Sequence, residues 1–420
     1  MRPENTGKPS CATSSGPGCD VGSIMLIAFL GLFLSGYNNF MVAIALIEIK
    51  PKLHLGPVAV GLILAATFLG MLIGGSTLGR LADVMGRRPV MILNMLMITV
   101  FAIFSGLVGN AGELFVMRLL MGIGIGAGYP IGSTYVADLS PSRDRGARMT
   151  LAFCGWGFGA LASGLVGWAM LSVVPPNMGW RLMLASGAIP AIVALVVIRT
   201  RCLPESHCWK SSQSLEPLPF KTLLSRSYRS TTMAALLPWF LMDLPVYGIG
   251  LLIPTVLLQL HIGGADAVVL TTCGLSIFTL LGFAVAYHTI DRIGRRQLQI
   301  IGFIGMAVLF TILAVAGAGI NKFELLALFA AIQIFINAGP NTTTWIVAAE
   351  VFPTRLRASG QGSATAFSRI GAASGAFFLP VIDAKAGLGA AFAVVAVASI
   401  LAAVITAIYL PETARCDLNH

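Results

Sequence analysis

Charged side chains are scarce in this 420-residue sequence, since only 10% of its residues are Asp, Glu, Lys or Arg while 56% are hydrophobic. A soluble domain carries about 25% charged residues, because charge keeps its surface hydrated. The mean hydropathy is correspondingly high, at +0.86. This composition excludes a soluble globular enzyme and predicts a protein embedded in a lipid bilayer.

Clusters of basic, metal-ligating and catalytic residues are missing as well. The net charge of +10 comes without a run of five or six Lys or Arg residues, so we predict no nucleic-acid partner. The seven cysteines and five histidines are scattered, which predicts neither a disulfide framework nor a metal site. No Ser/His/Asp or Cys/His grouping is present, so we expect no enzyme and no cofactor. The polar first 20 residues predict no cleavable signal peptide.

Long apolar segments are what the sequence has in abundance. A bilayer crossing needs about 20 mostly apolar residues, and backbone polar groups cannot be left bare in lipid. No alternating strand pattern accompanies these segments, so we predict helices. The twelve predicted spans are 22–49, 57–79, 89–109, 112–137, 147–173, 180–199, 231–260, 265–290, 298–319, 323–349, 358–383 and 386–409.

One long polar interruption divides the predicted spans into two sets of six. The fold class is therefore an all-α membrane protein, with twelve transmembrane helices in two pseudo-symmetric six-helix halves. The predicted divisions are an N-terminal tail 1–21, a first bundle 22–199, a central loop 200–230, a second bundle 231–409 and a C-terminal tail 410–420.

The distribution of basic residues predicts the orientation, because cytoplasmic segments of membrane proteins carry an excess of Lys and Arg. Arg118 and Arg369 lie within predicted spans. If both termini are cytoplasmic, nearly all other basic residues lie on the cytoplasmic side. The basic residues left outside are Lys50, Lys52, Arg181, Lys322 and Lys385. We therefore expect an integral multi-pass protein of the plasma (inner) membrane, with both termini, the loop 200–230 and both tails in the cytoplasm.

Three short motifs recur between the halves at nearly one offset. Repeats of this kind are typical of transporters, whose substrate site lies near the midplane between the halves. Residues 83–88 of the motif at 79–88 recur at 291–296 with an offset of 208. The motif at 138–145 recurs at 350–357 with an offset of 212, and that at 204–206 recurs at 411–413 with an offset of 207.

These motifs resemble those of the major facilitator superfamily over essentially the whole chain. The segment 79–88 resembles that superfamily's motif between its second and third helices. Pro-Glu-Ser at 204–206, Pro-Glu-Thr at 411–413 and the segment 350–357 resemble the branch of sugar porters and metabolite:proton symporters. The resemblance implies the major facilitator fold and secondary transport by alternating access.

Within that branch, the chain is most similar to the phosphate:proton symporters. This resemblance depends on the segment 339–344, on the Trp239, Asp243 and Tyr247 spacing in the seventh span, and on Gly-Tyr-Pro at 128–130. It implies a substrate site built from Tyr129, Trp239, Asp243, Tyr247 and Asn341. The spans expected to line the cavity are the first, fourth, fifth, seventh, tenth and eleventh.

Two ionisable residues lie near the middle of predicted spans, Asp243 in the seventh and Arg369 in the eleventh. A charge at that depth costs several kcal/mol and is a functional candidate by default. Trp239, Asp243 and Tyr247 are spaced by four and share one helix face. Arg369 offers positive charge and bidentate donors that suit phosphate or carboxylate, where the family generally has Lys. A purely structural Asp243–Arg369 ion pair is the alternative.

The first half departs from the phosphate-symporter pattern. Ser35, Asn38 and Gly128 stand where those symporters carry aspartates. Proton coupling is therefore expected to involve Asp243, with Arg118 early in the fourth span as a second candidate. An interfacial anchor is the alternative for Arg118.

Charged residues at the cytoplasmic helix ends are predicted to form a gate, because they can bridge helices and must separate when this side opens. Anchoring to lipid headgroups is the alternative, although anchoring alone does not require the acids. The predicted gating residues are Asp83, Arg87, Arg88, Asp138, Arg145, Asp291, Arg295, Glu350 and Arg357.

The sequence thus predicts a monomeric secondary transporter in the lipid bilayer, carrying a small anion together with protons. Inorganic phosphate is the first substrate. A sugar or organic-acid carrier, including carriers of aromatic acids and nicotinate, is the alternative within the superfamily. A nutrient sensor on a transporter scaffold is the alternative from another class.

Overall fold

The structure is a computed structural model that describes residues 21–200, 220–259, 264–316, 320–352 and 354–416. In these ranges it contains fourteen α-helices, one 3₁₀ helix at Phe220–Leu224 and no strand. The α-helices are α1 Val21–Lys52, α2 Pro57–Met85, α3 Arg87–Leu107, α4 Ala111–Leu139, α5 Arg145–Val173, α6 Pro176–Ser186, α7 Ala188–Thr200, α8 Arg229–Gln259, α9 Ala265–Ile293, α10 Arg295–Ala316, α11 Lys322–Ala338, α12 Pro340–Glu350, α13 Thr354–Ala386 and α14 Leu388–Tyr409.

Twelve segments of the described chain are long and apolar enough to cross a membrane. They are numbered span 1 to span 12 below. Helices α6 and α7 together form span 6, with a break at Gly187, and α11 and α12 form span 10, with a break at Gly339. Every other span is a single helix. The prediction of a twelve-helix membrane protein is confirmed.

The two halves repeat the same packing scheme. Span 1 packs on span 5 as span 7 packs on span 11, span 2 on span 4 as span 8 on span 10, and span 3 on span 6 as span 9 on span 12. This repetition is what a duplicated six-helix unit predicts.

The fourth span of each half also begins with the same cap. Asn110 accepts a hydrogen bond from the backbone N–H of Glu113, and Asn321 accepts bonds from Phe323 and Glu324. In both cases the N-cap amide satisfies N–H groups that have no partner within the helix. The duplication therefore extends to helix-terminal chemistry that sequence analysis had not singled out.

The halves meet along spans 2 and 11 and along spans 5 and 8. Small residues allow this close approach. A Cβ atom added at Gly157 of span 5 would lie 2.9 Å from the ring of Phe283 in span 8, so only glycine fits without displacement. The contact between the halves is therefore tight at Gly157.

Candidate functional site

Arg369 lies in span 11 at the centre of a buried cluster between the two halves. Its side chain is 1% exposed and that of Asp243 in span 7 is 2% exposed. Nη2 of Arg369 lies 3.2 Å from Oδ2 of Asp243, and Nη1 donates a hydrogen bond to the hydroxyl of Tyr247 at 3.4 Å. The Nε–H donates to Ser368 at 3.2 Å. The two mid-membrane charges that the sequence singled out are thus paired.

The pair is a contact between charges rather than an aligned hydrogen bond, because Oδ2 of Asp243 accepts no hydrogen bond in the described part of the chain. That oxygen can take up a proton without losing a hydrogen bond. Burial of an ion pair is costly, and removing one partner leaves an uncompensated charge in a medium of low polarity.

Aromatic rings surround the guanidinium group. Its central carbon lies 4.6 Å from the ring centre of Tyr129, 5.6 Å from that of Tyr247 and 5.8 Å from that of Trp239. Such distances are typical of cation–π contacts. Tyr129 belongs to span 4, whereas Tyr247 and Trp239 both belong to span 7. Arg369 therefore joins the two halves through the ring of Tyr129.

Ser35 of span 1 fixes the position of Tyr129. The two hydroxyls lie 2.9 Å apart, and Nδ2 of Asn39 donates to Ser35 at 3.3 Å. The first half thus presents neutral hydrogen-bonding groups to the cluster. Ser35 is one of the positions where the phosphate symporters carry an aspartate. Asp243 is the carboxylate that meets Arg369.

The cluster is closed toward both faces of the molecule. Tyr129, Trp239, Asp243, Tyr247 and Arg369 are all buried. The ring of Tyr247 contacts Phe68 at 4.4 Å and Trp156 at 6.2 Å between centroids, which adds residues of spans 2 and 5. The structure therefore has a conformation in which the centre is closed to solvent.

Asn341, the sixth predicted substrate-binding residue, belongs to a different hydrogen-bonded series. Its Nδ2 donates to Oδ1 of Asn337 at 2.8 Å, and Asn337 donates to the carbonyl of Gln333 at 2.7 Å. These three residues are spaced by four along span 10 and cross its break at Gly339. Asn341 makes no hydrogen bond or ion pair with the Arg369 cluster in the described part of the chain.

Arg118 lies outside the cluster. It is fully buried, and its Nη1 donates to the backbone carbonyl of Asn38 at 3.1 Å. Among the described residues, no carboxylate lies within ion-pair distance of it. Direct proton exchange would need a carboxylate next to Arg118. Its partner in span 1 is instead a backbone carbonyl.

A second cluster occupies the predicted cytoplasmic end. Arg295 pairs with Asp291 at 2.7 Å and with Glu350 at 3.0 Å, and Glu350 also lies 3.7 Å from Arg145 of the other half. Both oxygens of Asp291 accept from the backbone N–H groups of residues 146 and 147. A carboxylate at this position is favoured by the helix dipole of α5. Four predicted gating residues thus form one network between the halves.

The C-terminal segment extends this network. The sequence identified its Pro-Glu-Thr motif as a repeat but did not predict that this motif belongs to the gate. Glu412 accepts from the backbone N–H groups of Arg295 and Arg296 and so caps α10. Thr413 donates to Glu350 at 2.7 Å, and the carbonyl of Cys416 accepts from Arg145 at 3.1 Å. Recurrence of this motif beside the charged motifs was the signal that could have identified it.

The remaining predicted gating residues are placed differently. The side chains of Asp83, Arg87 and Asp138 lie outside the described part of the structure. Arg88 is exposed and donates to the carbonyl of Arg199 at 3.4 Å, within its own half. Arg357 is buried at the start of α13.

A small cavity adjoins the central cluster at Trp156. Its volume is about 30 Å³, and spans 1, 5, 7, 8 and 10 line it. Trp156 forms part of this lining and also contacts Tyr247 of the cluster. Span 8 was not among the spans predicted to line a cavity. Thr272, Ser276 and Thr279 lie along one face of span 8, and this pattern in the sequence could have indicated that span 8 lines the cavity.

Two family descriptions match this chain. "Major Facilitator Superfamily" matches residues 28–288, and "Sugar (and other) transporter" matches residues 210–420. The putative metabolite transport protein YaaU of Escherichia coli K12 is 30% identical, over 94% of this chain and 93% of YaaU. The repressible high-affinity phosphate permease of Neurospora crassa is 26% identical, over 83% and 75%.

Among solved structures, the proton:xylose symporter XylE of E. coli, bound to 6-bromo-6-deoxy-D-glucose, superposes with a TM-score of 0.83 at 21% sequence identity. The match covers 94% of this chain and 97% of that structure. At this identity the likeness establishes the fold. Together with the repeated helix packing and the family matches, it shows that this chain belongs to the major facilitator superfamily, in its sugar-porter type, and is an integral multi-pass membrane transporter.

Proposed function

We propose that the protein is a proton-coupled transporter of a small anion, in which Arg369 binds the anion and Asp243 carries the proton. The observation that carries this proposal is the buried ion pair between these two residues, 3.2 Å apart and enclosed by aromatic rings from both halves. Buried ionisable groups at membrane depth are typical of substrate and proton pathways.

Charge balance links the anion to the proton. In the empty site, Asp243 neutralises Arg369. An anion that enters beside the guanidinium places two negative groups against one positive group, in a medium where such repulsion is only weakly screened. Protonation of Asp243 at Oδ2 restores neutrality, so anion and proton bind together and leave together. This coupling predicts symport.

The aromatic residues fix the position of the guanidinium that binds the anion. Tyr129, Trp239 and Tyr247 surround the guanidinium, and Asn341 in span 10 supplies an amide to the same cavity when span 10 moves about its break at Gly339. Arg118 supports coupling indirectly, because its bond to the carbonyl of Asn38 fixes span 1 next to Ser35 and Tyr129. An anchoring role for Arg118 is the alternative.

The cytoplasmic network acts as the gate. Opening toward this side requires separation of Arg145 from Glu350 and of Asp291 from the beginning of α5, since these contacts join the two halves. We assign the same role to the rest of the predicted set, Asp83, Arg87, Arg88, Asp138, Arg295 and Arg357. Alternating access of this kind is a rigid-body rocking of the halves around a central site.

Inorganic phosphate is the first candidate substrate. A guanidinium can bind its oxygens in bidentate fashion, and a phosphate permease is among the relatives. A sugar or organic-acid carrier is the second candidate, since XylE is a xylose symporter and YaaU is named a metabolite transport protein. We place the protein in the plasma (inner) membrane as a monomer, with both termini in the cytoplasm.

Uptake into proteoliposomes tests the proposal. Labelled phosphate is expected to accumulate only when an inward proton gradient is applied, and unlabelled sugars or organic acids should compete if they are the true substrates. Accumulation that is indifferent to the gradient would contradict proton coupling.

The variant Asp243→Asn identifies the proton carrier. It cannot exchange a proton, so we expect it to lose gradient-driven accumulation, while it keeps the positive charge of Arg369 that binds the anion. Asp266→Asn, in an exposed first turn of α9, is the matched control. Unchanged pH-dependent accumulation in Asp243→Asn would remove this residue from the mechanism.

A further inference from the structure

An apolar groove runs along the outer surface of the second half, between spans 9 and 12. Its walls are one face of span 9 over residues 300–312 and one face of span 12 over residues 400–407. The wall residues Ile304 and Val404 are each about half exposed, so the groove opens outward to the surrounding bilayer. Thr311, the polar side chain of the lining, donates its hydrogen to a carbonyl of its own helix at 2.7 Å. The groove therefore offers an apolar surface to a ligand.

Small residues of span 12 make room for this groove. Ala403 and Ala407 line it. At the offset of 208 between the halves, the equivalent positions in span 6 hold the larger residues Leu195 and Arg199. Because spans 3 and 6 pack in the same way as spans 9 and 12, the two alanines remove side-chain volume that the first half keeps. The groove thus follows from a difference in sequence between the halves.

Arg296 lies at one end of the groove. Its Nη2 donates to the backbone carbonyl of Ala407, a residue of the groove wall, at 2.6 Å. It precedes Ile300 by four residues, so the two side chains share one face of span 9. Arg296 is exposed, and among the described residues its side chain makes no other hydrogen bond or ion pair. Since a guanidinium has five N–H donors, most of them are available to an anion.

The neighbouring carboxylate of Glu412 does not use these donors. It accepts hydrogen bonds from four backbone N–H groups, those of residues 295, 296, 413 and 414. The positive end of the helix dipole of α10 further compensates its charge. Arg292, exposed in the last turn of α9, is a second basic residue at this end of the molecule. An anionic group at Arg296 is therefore favoured.

The dimensions of the groove match those of a lipid chain in one leaflet. Residues 300–312 of a helix extend over about 18 Å. One leaflet contributes about 15 Å to the hydrocarbon core of a bilayer. The groove volume of about 580 Å³ lies within the range of about 300–1,000 Å³ that is typical of pockets for small organic ligands. An acyl chain can thus lie along the groove with its headgroup at Arg296.

We propose that this groove binds one phospholipid with a net negative headgroup, whose phosphate contacts Arg296 and whose acyl chain lies between spans 9 and 12. A free phosphate would meet the guanidinium but leave the apolar walls uncovered. A zwitterionic headgroup adds an ammonium group, for which Glu412 has no free capacity. This lipid site is separate from the Arg369 cluster and does not rest on the proposed transport function.

Native mass spectrometry of the purified full-length protein in detergent tests the proposal, because it counts the lipids that each molecule retains. The probes are phosphatidylglycerol and phosphatidylethanolamine with the same acyl chains, and glycerol 3-phosphate, which has no chain. We expect the first phosphatidylglycerol to bind at least about fivefold more tightly than phosphatidylethanolamine, since one basic residue near the membrane surface contributes about this factor. Glycerol 3-phosphate should not be retained.

Substitutions at Arg296 test the headgroup contact. Arg296→Gln is expected to reduce the preference for phosphatidylglycerol to about twofold or less, whereas Arg296→Lys keeps the positive charge and should retain the preference. Arg88→Gln is the matched control. Arg88 donates to the carbonyl of Arg199 at 3.4 Å, as Arg296 does to that of Ala407, but it lies beside the larger residues of the first half.

A second variant tests the groove itself and leaves the guanidinium in place. Val404→Trp places a large side chain in the groove and should weaken binding of phosphatidylglycerol at least about fivefold. Val397→Trp is the matched control, because Val397 is equally exposed on span 12 but does not line the groove. Binding to this control should equal binding to the unmodified protein.

Several outcomes would overturn the proposal. Equal binding of the two lipids, or a preference that survives Arg296→Gln, removes Arg296 as the headgroup site. Unchanged binding to Val404→Trp shows that the acyl chain lies elsewhere, and retention of glycerol 3-phosphate shows a site for free phosphate. An equal loss in Arg88→Gln shows a general effect of charge. A dimer that forms without lipid and is broken by Val404→Trp shows that a second copy covers the groove.

Discussion

At the scale of single residues, Arg369 is held by several different interactions at once. It meets the carboxylate of Asp243, the hydroxyl of Tyr247 and the ring of Tyr129. The mid-span positions of Asp243 and Arg369 could be read from the sequence, because ionisable residues at that depth are rare. Their pairing could not, since it depends on the approach of spans 7 and 11, which are more than 100 residues apart along the chain.

A double-mutant cycle tests the interdependence of this pair. Arg369→Gln leaves Asp243 buried without a counter-charge and is expected to lower the free energy of unfolding by about 3–5 kcal/mol. Adding Asp243→Asn should restore much of that loss, because no buried charge then remains. Thermal unfolding in detergent provides the measurement. Additive effects of the two substitutions would show that the residues do not act as a pair.

At the scale of elements, the beginning of α5 is held by groups from the other half. Asp291 accepts from its first N–H groups, and Arg145 contacts Glu350 and the carbonyl of Cys416. The charged motifs predicted a gate, and the structure joins four of the nine predicted residues in one network. The sequence could not indicate that Glu412 and Thr413 complete it, because the position of the C-terminal segment depends on how span 12 packs on span 9.

Loss of Arg145 is expected to favour the conformation that is open at the end of the molecule where this network lies. In a variant where Thr150→Cys is the only cysteine, Arg145→Gln should increase the alkylation rate of that buried position severalfold, because a contact that holds the halves together has been removed. Arg148→Gln is the matched control, since Arg148 pairs locally at 3.0 Å with Asp144, the N-cap residue of the same helix. Equal alkylation rates in the two variants would exclude Arg145 from the gate.

At the scale of the whole molecule, the halves close around the centre through glycine-mediated contacts. Gly157 of span 5 lies against Phe283 of span 8, and the neighbouring Trp156 contacts Tyr247 of the occluded cluster. Alternating access requires these surfaces to separate and close again during each cycle. The closing motion of the two halves is therefore limited by how closely spans 5 and 8 can approach each other.

A bulky residue at this contact is expected to stop the cycle without destroying the fold. Gly157→Leu should reduce exchange of labelled substrate across the membrane by at least about tenfold, because the added side chain holds spans 5 and 8 apart. Binding at the centre and thermal stability should change less. The neighbouring Phe158→Leu, on the lipid-facing side, is the control and should transport normally. Equal transport by both variants would argue against closure at Gly157.

The sequence by itself determined the twelve helices, the duplication and the depth of the two central charges. These features depend on local hydropathy, on repeated motifs and on the cost of burying a charge, all of which are properties of short segments. Only the tertiary structure decided that Asp243 and Arg369 form a pair, that Ser35 positions Tyr129, that Arg118 meets a backbone carbonyl, and that an uncharged cavity adjoins the cluster. Each of these contacts joins helices far apart in the chain, so its geometry depends on how whole helices pack against one another.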